Sequence, residues 1–150
     1  MLVVVSPAKK LDVTGDKTKD YSLPVYTSEA KKLIANLKKM NPKSLEKLMG
    51  ISTSLAELNF QRYQEWNEQH LLEDSKQAIL SFTGEVYSGL DAASFSNNEL
   101  KEAQNRLRIL SGLYGVLKPL DLMHAYRLEM GTSLKIGEKK NLYEFWGDKI

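Results

Sequence analysis

The 150-residue chain contains no cysteine and only two histidines, His70 and His124. Without cysteine, disulfides and thiolate metal sites are excluded, which fits a reducing compartment. The histidines lie far apart in the sequence and form no HxxH or HExxH pattern, so a transition-metal site is not expected. No metal and no cofactor is therefore predicted.

Long hydrophobic segments are also lacking. Only four consecutive strongly apolar residues, Leu2–Val5, precede Ser6 and Pro7 at the N-terminus. The basic region and long apolar region of a signal peptide are missing. No window approaches the roughly 20 apolar residues that cross a membrane. We expect a cytoplasmic location and no membrane partner.

Local catalytic signatures are equally scarce. The sequence has no GxGxxG or GxxxxGK[ST] loop for nucleotide phosphates. It has no GxSxG for a serine nucleophile, and no pair of carboxylates stands out for acid–base chemistry. No catalytic residue is predicted from motifs.

The chain does have enough apolar residues for a core and an uneven charge distribution. Hydrophobic residues make up 42% of the sequence, which suits a single domain over residues 1–150. Residues 1–49 carry ten lysines and five acidic residues, a balance of +5, whereas residues 50–150 balance at −3. The basic N-terminal third could meet a polyanion, or its lysines could form a solvated helix face.

Hydrophobic periodicity and capping residues predict a mixture of short strands and helices. Strands are predicted at 2–5, 78–82 and 126–130, and residues 12–26 are predicted to form a surface loop. The first helix is predicted from Thr27 or Ser28 to about Met40, and a second begins at Asn41-Pro42 and continues as a helical hairpin to about Asn67. Residues 84–89 are predicted to form a turn or short helix. Two further helices are predicted, one from the Ser96 capping box to about Leu110 and one from Asn141 through Trp146. This pattern predicts an α+β or irregular α/β fold with a short mixed sheet and several helices.

The most informative stretch is 45–62, predicted as two short helices joined by a tight turn. Gly50 can adopt positive φ and end the first helix. Ser52 can cap the second helix, and Ser54 offers a second capping register. A new helix N-terminus presents unpaired N–H groups to an anion.

This pattern resembles the helix-hairpin-helix module over about residues 42–67. That module grips DNA backbone phosphates without reading bases, and it usually carries Gly-hydrophobic-Gly in its turn. Here Ser52 takes the place of the second glycine. An ordinary helical hairpin that packs for its own sake is the alternative interpretation.

Several other polar residues lie beside predicted turns and strand ends. Lys9 follows the first predicted strand, where it could meet a phosphate or remain a surface lysine. Tyr87 lies between two glycines and could stack on a base or belong to the core. Arg127 and Glu129 share one face of the third predicted strand. They could line a polar cleft in which Arg127 binds an anion, or they could form the solvent-exposed face of an edge strand. An enzyme acting on a nucleotide or nucleobase in such a cleft is the alternative function.

Four segments resemble the YaaA-like peroxide-stress protein family. They are Ser6–Lys9 with Leu11-Asp12, Gly84–Leu90, the block LSGLYGVLKPLDLMHAYRLEMG at 110–131, and Leu142–Gly147. The resemblance implies a cytosolic bacterial-type protein that limits peroxide damage and is associated with DNA protection and low free iron. It also implies an unusual α/β fold with a positively charged cleft and a DNA-binding helix-hairpin-helix element. Because family members are longer, the chain is expected to be the N-terminal portion of such a protein.

The hairpin, the basic N-terminal third and the resemblance together predict two groups of site residues and one partner. The expected partner is DNA, bound non-specifically through its phosphates, and the oligomeric state is not predicted. Direct iron binding is disfavoured, because cysteine is absent and histidine is sparse, whereas iron sites built from Asp and Glu stay an open alternative. The predicted DNA-binding residues are Gly50, Ile51, Ser52, Thr53, Ser54, Lys43, Lys47 and Arg62, and the cleft candidates are Lys9, Tyr87, Ser111, Arg127 and Glu129.

Overall fold

A computed structural model describes residues 1–15 and 17–150 of the chain. Their contacts divide into two compact units, each assembled from separated segments. Unit 1 comprises Met1–Val25, Gln69–Ser111 and Val116–Ala125, and unit 2 comprises Tyr26–Glu68, Gly112–Gly115 and Tyr126–Ile150. The prediction of one domain over 1–150 stays a prediction.

Short strands form two small sheets. The strands are β1 (Val3–Val5), β2 (Lys76–Gln77), β3 (Leu107–Ser111), β4 (Gly115–Leu117) and β5 (Leu122–Met123). One sheet has the order β1–β3–β4, and the other pairs β2 with β5. β1 runs parallel to β3, with Val3 opposite Leu107 and Val5 opposite Ile109.

Helices make up most of the regular structure. They are α1 (Thr27–Leu37), α2 (Pro42–Met49), α3 (Thr53–Glu65), α4 (Ala78–Ser81), α5 (Glu85–Leu90), α6 (Asn97–Arg106) and α7 (Leu142–Trp146). Mixed helices and small sheets confirm the predicted α+β class. In the part of the chain that the structure describes, no helix has the length and apolar character needed to cross a bilayer.

Each unit has its own buried residues. In unit 1, a core cluster is formed by Ile79, Ala92, Leu100, Leu107 and Leu120. In unit 2, α1 buries Ala30, Leu33, Ile34 and Leu37, and the large aromatic residues Tyr63, Trp66, Tyr114 and Trp146 are also buried.

Local capping signals are confirmed where the sequence predicted them. The Asn41 side chain accepts a hydrogen bond from the Ser44 N–H at 2.8 Å, and Pro42 occupies the first turn of α2. Ser96 and Glu99 form the reciprocal capping box of α6. Asn141 accepts from the Glu144 N–H at 2.9 Å and begins α7. The first strand is confirmed at Val3–Val5, and the predicted 12–26 loop includes Asp16, which lies outside the described residues.

Two predicted elements are wrong in type. Instead of a strand at 78–82, Lys76–Gln77 pairs with β5, and Ala78–Ser81 forms the short helix α4. A short apolar run does not distinguish a strand from a buried helix, and here the pairing partner decides. The segment 126–130 is irregular rather than a strand. Its burial still alternates, because Tyr126 and Leu128 are buried.

The helix capped by Ser96 is shorter than the sequence predicts. It ends at Arg106, because Leu107–Ser111 forms β3 instead of another helical turn. Leu107 and Ile109 lie opposite residues of β1 in the parallel ladder. Pairing with a strand about a hundred residues earlier in the chain therefore overrides the local helical period.

The loop Gly112–Gly115 belongs to unit 2 and approaches other backbone closely. A Cβ added to Gly112 would lie 2.1 Å from the Leu128 carbonyl oxygen, and one added to Gly115 would lie 2.8 Å from the Trp146 ring. The Trp146 indole N–H donates to the Gly112 carbonyl at 2.9 Å. Only glycine fits these two positions without movement of their neighbours.

Candidate nucleic-acid interface

The predicted helical hairpin is present between α2 and α3. Gly50 has φ 62° and ψ 46°, in the left-handed region, and its N–H donates to the Glu46 carbonyl at 2.8 Å. The Ser52 hydroxyl accepts from the Leu55 N–H at 3.3 Å and caps α3. Glycine therefore ends one helix and serine begins the next, as their intrinsic preferences predict.

The turn leaves most of its predicted site residues accessible. Gly50, Ser52, Thr53 and Ser54 are exposed, and Ile51 is half-buried. The first-turn N–H groups of α3 and its positive dipole end are suited to an anion. A carboxylate also lies at this turn, because the Thr53 hydroxyl donates to Glu46 Oε1 at 2.9 Å. An anion bound here would meet that negative charge.

Lysines Lys43 and Lys47 are exposed on α2. Together with Asn41, Ser44 and Glu46 they line an open depression of about 410 Å³. Two ammonium groups against one carboxylate make this depression basic, which fits contact with a phosphate backbone.

Arg62 and Arg127 lie near one buried tyrosine, Tyr63. The Tyr63 hydroxyl donates to the Arg127 carbonyl. Burial raises the pKa of Tyr63, and the positive charges of Arg62 and Arg127 oppose that rise. Burial lowers the pKa of Arg62, although a guanidinium stays charged at neutral pH.

Arg127 is only partly neutralised by its surroundings. Its Nη2 lies 3.3 Å from Glu129 Oε1, and its Nε is buried without a hydrogen-bond partner among the described residues. The Arg127 side chain is 16% exposed, whereas that of Glu129 is 48% exposed. The sequence places Arg62 and Arg127 in separate predicted groups, because no local signal links Arg127 to Tyr63, which lies 64 positions earlier in the chain.

The five cleft candidates divide between the two units. Lys9, Tyr87 and Ser111 belong to unit 1, whereas Arg127 and Glu129 belong to unit 2. Lys9 is exposed and Ser111 is buried at the end of β3. The structure brings together Arg127 with Glu129.

Tyr87 is held inside unit 1. Its hydroxyl donates to the Ser6 carbonyl at 2.6 Å, and its ring centroid lies 5.4 Å from that of Phe82. Burial raises the pKa of Tyr87 to about 12, so the phenol is neutral at physiological pH. The tyrosine thus anchors the loop that leads to Lys9.

Asp121 is a buried carboxylate that sequence reasoning missed. It accepts hydrogen bonds from the Ser22 hydroxyl at 2.6 Å and from the Lys118 N–H at 2.8 Å. Burial raises its pKa, while these hydrogen bonds oppose the rise. Gln104 donates to Ser22 at 2.9 Å, so the network ties the loop at Ser22 to α6 and β5. Within residues 1–15 and 17–150, no group of three or more side chains is placed to hold a metal ion.

Comparison with known families agrees with the resemblance seen in the sequence. Residues 1–150 match the model of the family described as peroxide stress protein YaaA. The chain belongs to the YaaA family.

Relatives of this YaaA-family chain come from several bacteria. It is 54% identical to a UPF0246 protein of Marinomonas sp. strain MWYL1 and 53% identical to one of Polynucleobacter asymbioticus. It is also 54% identical to a UPF0246 protein of Shewanella amazonensis. Each comparison covers the whole chain, but the chain spans only 58% to 59% of the length of these relatives.

Proposed function

We propose that this chain is part of a peroxide-stress protein that protects DNA by binding its backbone phosphates through the α2–α3 hairpin. The observation that carries the proposal is the exposed turn, in which left-handed Gly50 and the Ser52 cap present the N-terminus of α3. Membership of the YaaA family supports the stress role. We further propose that the protein acts in the cytoplasm, since the chain has no cysteine.

Binding of this kind contacts the backbone rather than the bases. First-turn N–H groups of α3 would meet one phosphate, and Lys43 and Lys47 would meet neighbouring phosphates as mobile point charges. Such contacts release counterions, so affinity falls steeply as salt concentration rises and depends little on sequence. Glu46 limits the affinity, because its carboxylate lies at the same turn.

A matched pair of charge variants tests the proposal. Lys43→Gln with Lys47→Gln removes two positive charges at the depression, and Lys32→Gln with Lys39→Gln removes two exposed lysines elsewhere in the same unit. Electrophoretic shifts with duplex and branched DNA are measured at about 50 and 200 mM salt. The first pair is expected to reduce the salt slope by about 2, and the second to leave it nearly unchanged.

Glu46→Gln is expected to change DNA affinity in the opposite direction in the same assay. Removal of the carboxylate is expected to raise DNA affinity, because the turn then presents only donors and positive charge. Equal losses of DNA affinity in the two lysine double variants would overturn binding through the hairpin. The absence of an electrophoretic shift at low salt with a full-length YaaA-family protein would overturn it as well.

A further inference from the structure

The edge of β1 is apolar and open. In the β1–β3–β4 sheet, β1 is the outer strand, and no strand within the described residues pairs with its other side. Val3 is 42% exposed and Val4 is 53% exposed. Natural proteins normally cover, shorten or charge such an edge, because its free N–H and C=O groups template another strand.

A groove that includes Val3 of this edge strand lies entirely within unit 1. Its volume is about 520 Å³. Its apolar lining residues are Val3, Leu90, Phe95, Ala103 and Leu107. Leu90, Phe95 and Ala103 also pack against the core cluster of unit 1. The groove is therefore continuous with that core and is not an isolated depression on the surface.

The rim of the groove does not suit a polyanion. Its charged members are Glu99, Glu102 and Arg106, and Arg106 is already paired with Glu102 at 2.7 Å. A free strand edge next to an apolar groove is instead the arrangement used in strand addition. In that mode, main-chain hydrogen bonds give affinity and alternate side chains enter the groove.

We propose that the free edge of β1 and this groove receive a β-strand from the part of the YaaA-family polypeptide that lies outside this chain's match. The relatives supply the candidate, because the whole chain accounts for only 58% of the Marinomonas protein. The incoming segment is extended and alternates apolar residues toward the groove with polar residues toward solvent.

Thiol accessibility tests the docking directly, since the chain has no cysteine of its own. Val3→Cys places a thiol at the groove, and Val13→Cys is the control, at 46% exposure on a loop of unit 1. Maleimide labelling is compared in the chain alone and in a chimera in which the chain replaces the matched region of the Marinomonas protein. Peptide mass spectrometry identifies the labelled site.

Docking predicts that the chimera slows labelling at Val3→Cys by at least about tenfold and at Val13→Cys by less than about twofold. Unchanged labelling at Val3→Cys, or equal slowing at both sites, overturns the proposal. Protection in the chain alone that increases with its concentration also overturns it, because a second copy would then be the occupant.

Hydrogen exchange on the unmodified full-length Marinomonas protein keeps the test independent of the chimera's folding. In a parallel edge strand, only part of the amides bond the neighbouring strand. Strand addition predicts that the segment aligned with Val3–Val5 is protected throughout, like the segment aligned with β3. Rapid exchange of part of that segment would contradict strand addition.

Discussion

At the residue scale, two glycines are constrained in different ways. A Cβ on Gly112 would lie 2.1 Å from the Leu128 carbonyl oxygen, a contact that no real structure tolerates without movement. A Cβ on Gly50 would meet nothing within 4 Å, so only its φ of 62° disfavours other residues. Gly112 is therefore limited by space and Gly50 by backbone conformation.

Gly112→Ala is expected to lower the free energy of unfolding by roughly 2–4 kcal/mol, because the loop and the Leu128 backbone must separate. Urea denaturation followed by fluorescence measures the change. Gly131→Ala is the matched control, since a Cβ there meets nothing within 4 Å. Similar stability in the two variants would show that the close backbone approach is not maintained in solution.

Tyr87 gives the chain an alkaline dependence of stability. The pKa of this phenol is about 12 in the folded chain, against an ordinary value of 10.0. The folded state therefore holds the proton more tightly, and this contribution is complete below pH 10 and is lost as pH rises toward 12. Stability is expected to fall across that interval.

Tyr87→Phe is expected to reduce that alkaline fall, because phenylalanine cannot ionise. At neutral pH the variant should lose about 1 kcal/mol, since the hydrogen bond to the Ser6 carbonyl disappears. Unfolding free energies at neutral and alkaline pH provide the measurement. Tyr63 also has a raised pKa, so part of the fall remains. An undiminished fall in the variant would contradict this assignment.

At the element scale, the hairpin separates stability from DNA affinity. Ser52→Gly is expected to retain or increase DNA affinity, because loss of the Cβ opens the approach to the α3 N-terminus. Its stability should fall by only a few tenths of a kcal/mol, against about 1 kcal/mol for Ser52→Ala. Gel shifts and urea denaturation give the two quantities.

Gly50→Val should weaken both folding and binding, because a β-branched residue strongly disfavours φ of 62°. If a correctly folded Gly50→Val variant binds DNA like the parent, the turn is only structural. Lys43 and Lys47 would then be the better binding candidates.

Elements with local signals were predictable from the sequence, and those decided by distant pairing were not. Asn41, Ser52 and Ser96 each mark a helix start through a side chain that bonds backbone three residues on. By contrast, Leu107–Ser111 continues an apolar helical period, and only the β1 partner makes it a strand. For the same reason the hairpin could be predicted, whereas the contact between Tyr63 and the Arg127 carbonyl could not.

At the scale of the whole molecule, unit 2 depends on segments far apart in sequence. The Trp66 indole N–H donates to the Tyr114 hydroxyl at 3.0 Å, and the Tyr63 hydroxyl donates to the Arg127 carbonyl. Trp146 also contacts Tyr26, with ring centroids 5.6 Å apart. Aromatic residues within and beside α1 and α3 thus pack against later parts of the chain.

Residues 26–68 expressed alone are expected to lack fixed tertiary packing. The partners of Trp66 and Tyr63 come from Gly112–Gly115 and Tyr126–Ile150, so those rings would be exposed to water. Near-UV circular dichroism and thermal unfolding compare this fragment with the 150-residue chain. A sharp, cooperative transition in the fragment would contradict the dependence.

The interleaving of segments also has a consequence during synthesis on the ribosome. At about 5–20 residues per second, the roughly 80 residues between Trp66 and Trp146 take about 4–16 s to make. Through that interval α1–α3 have been translated but lack the rings and backbone that complete their packing. Nascent copies of this chain are therefore expected to expose an amphipathic three-helix segment for seconds, which is long enough for a chaperone to bind it.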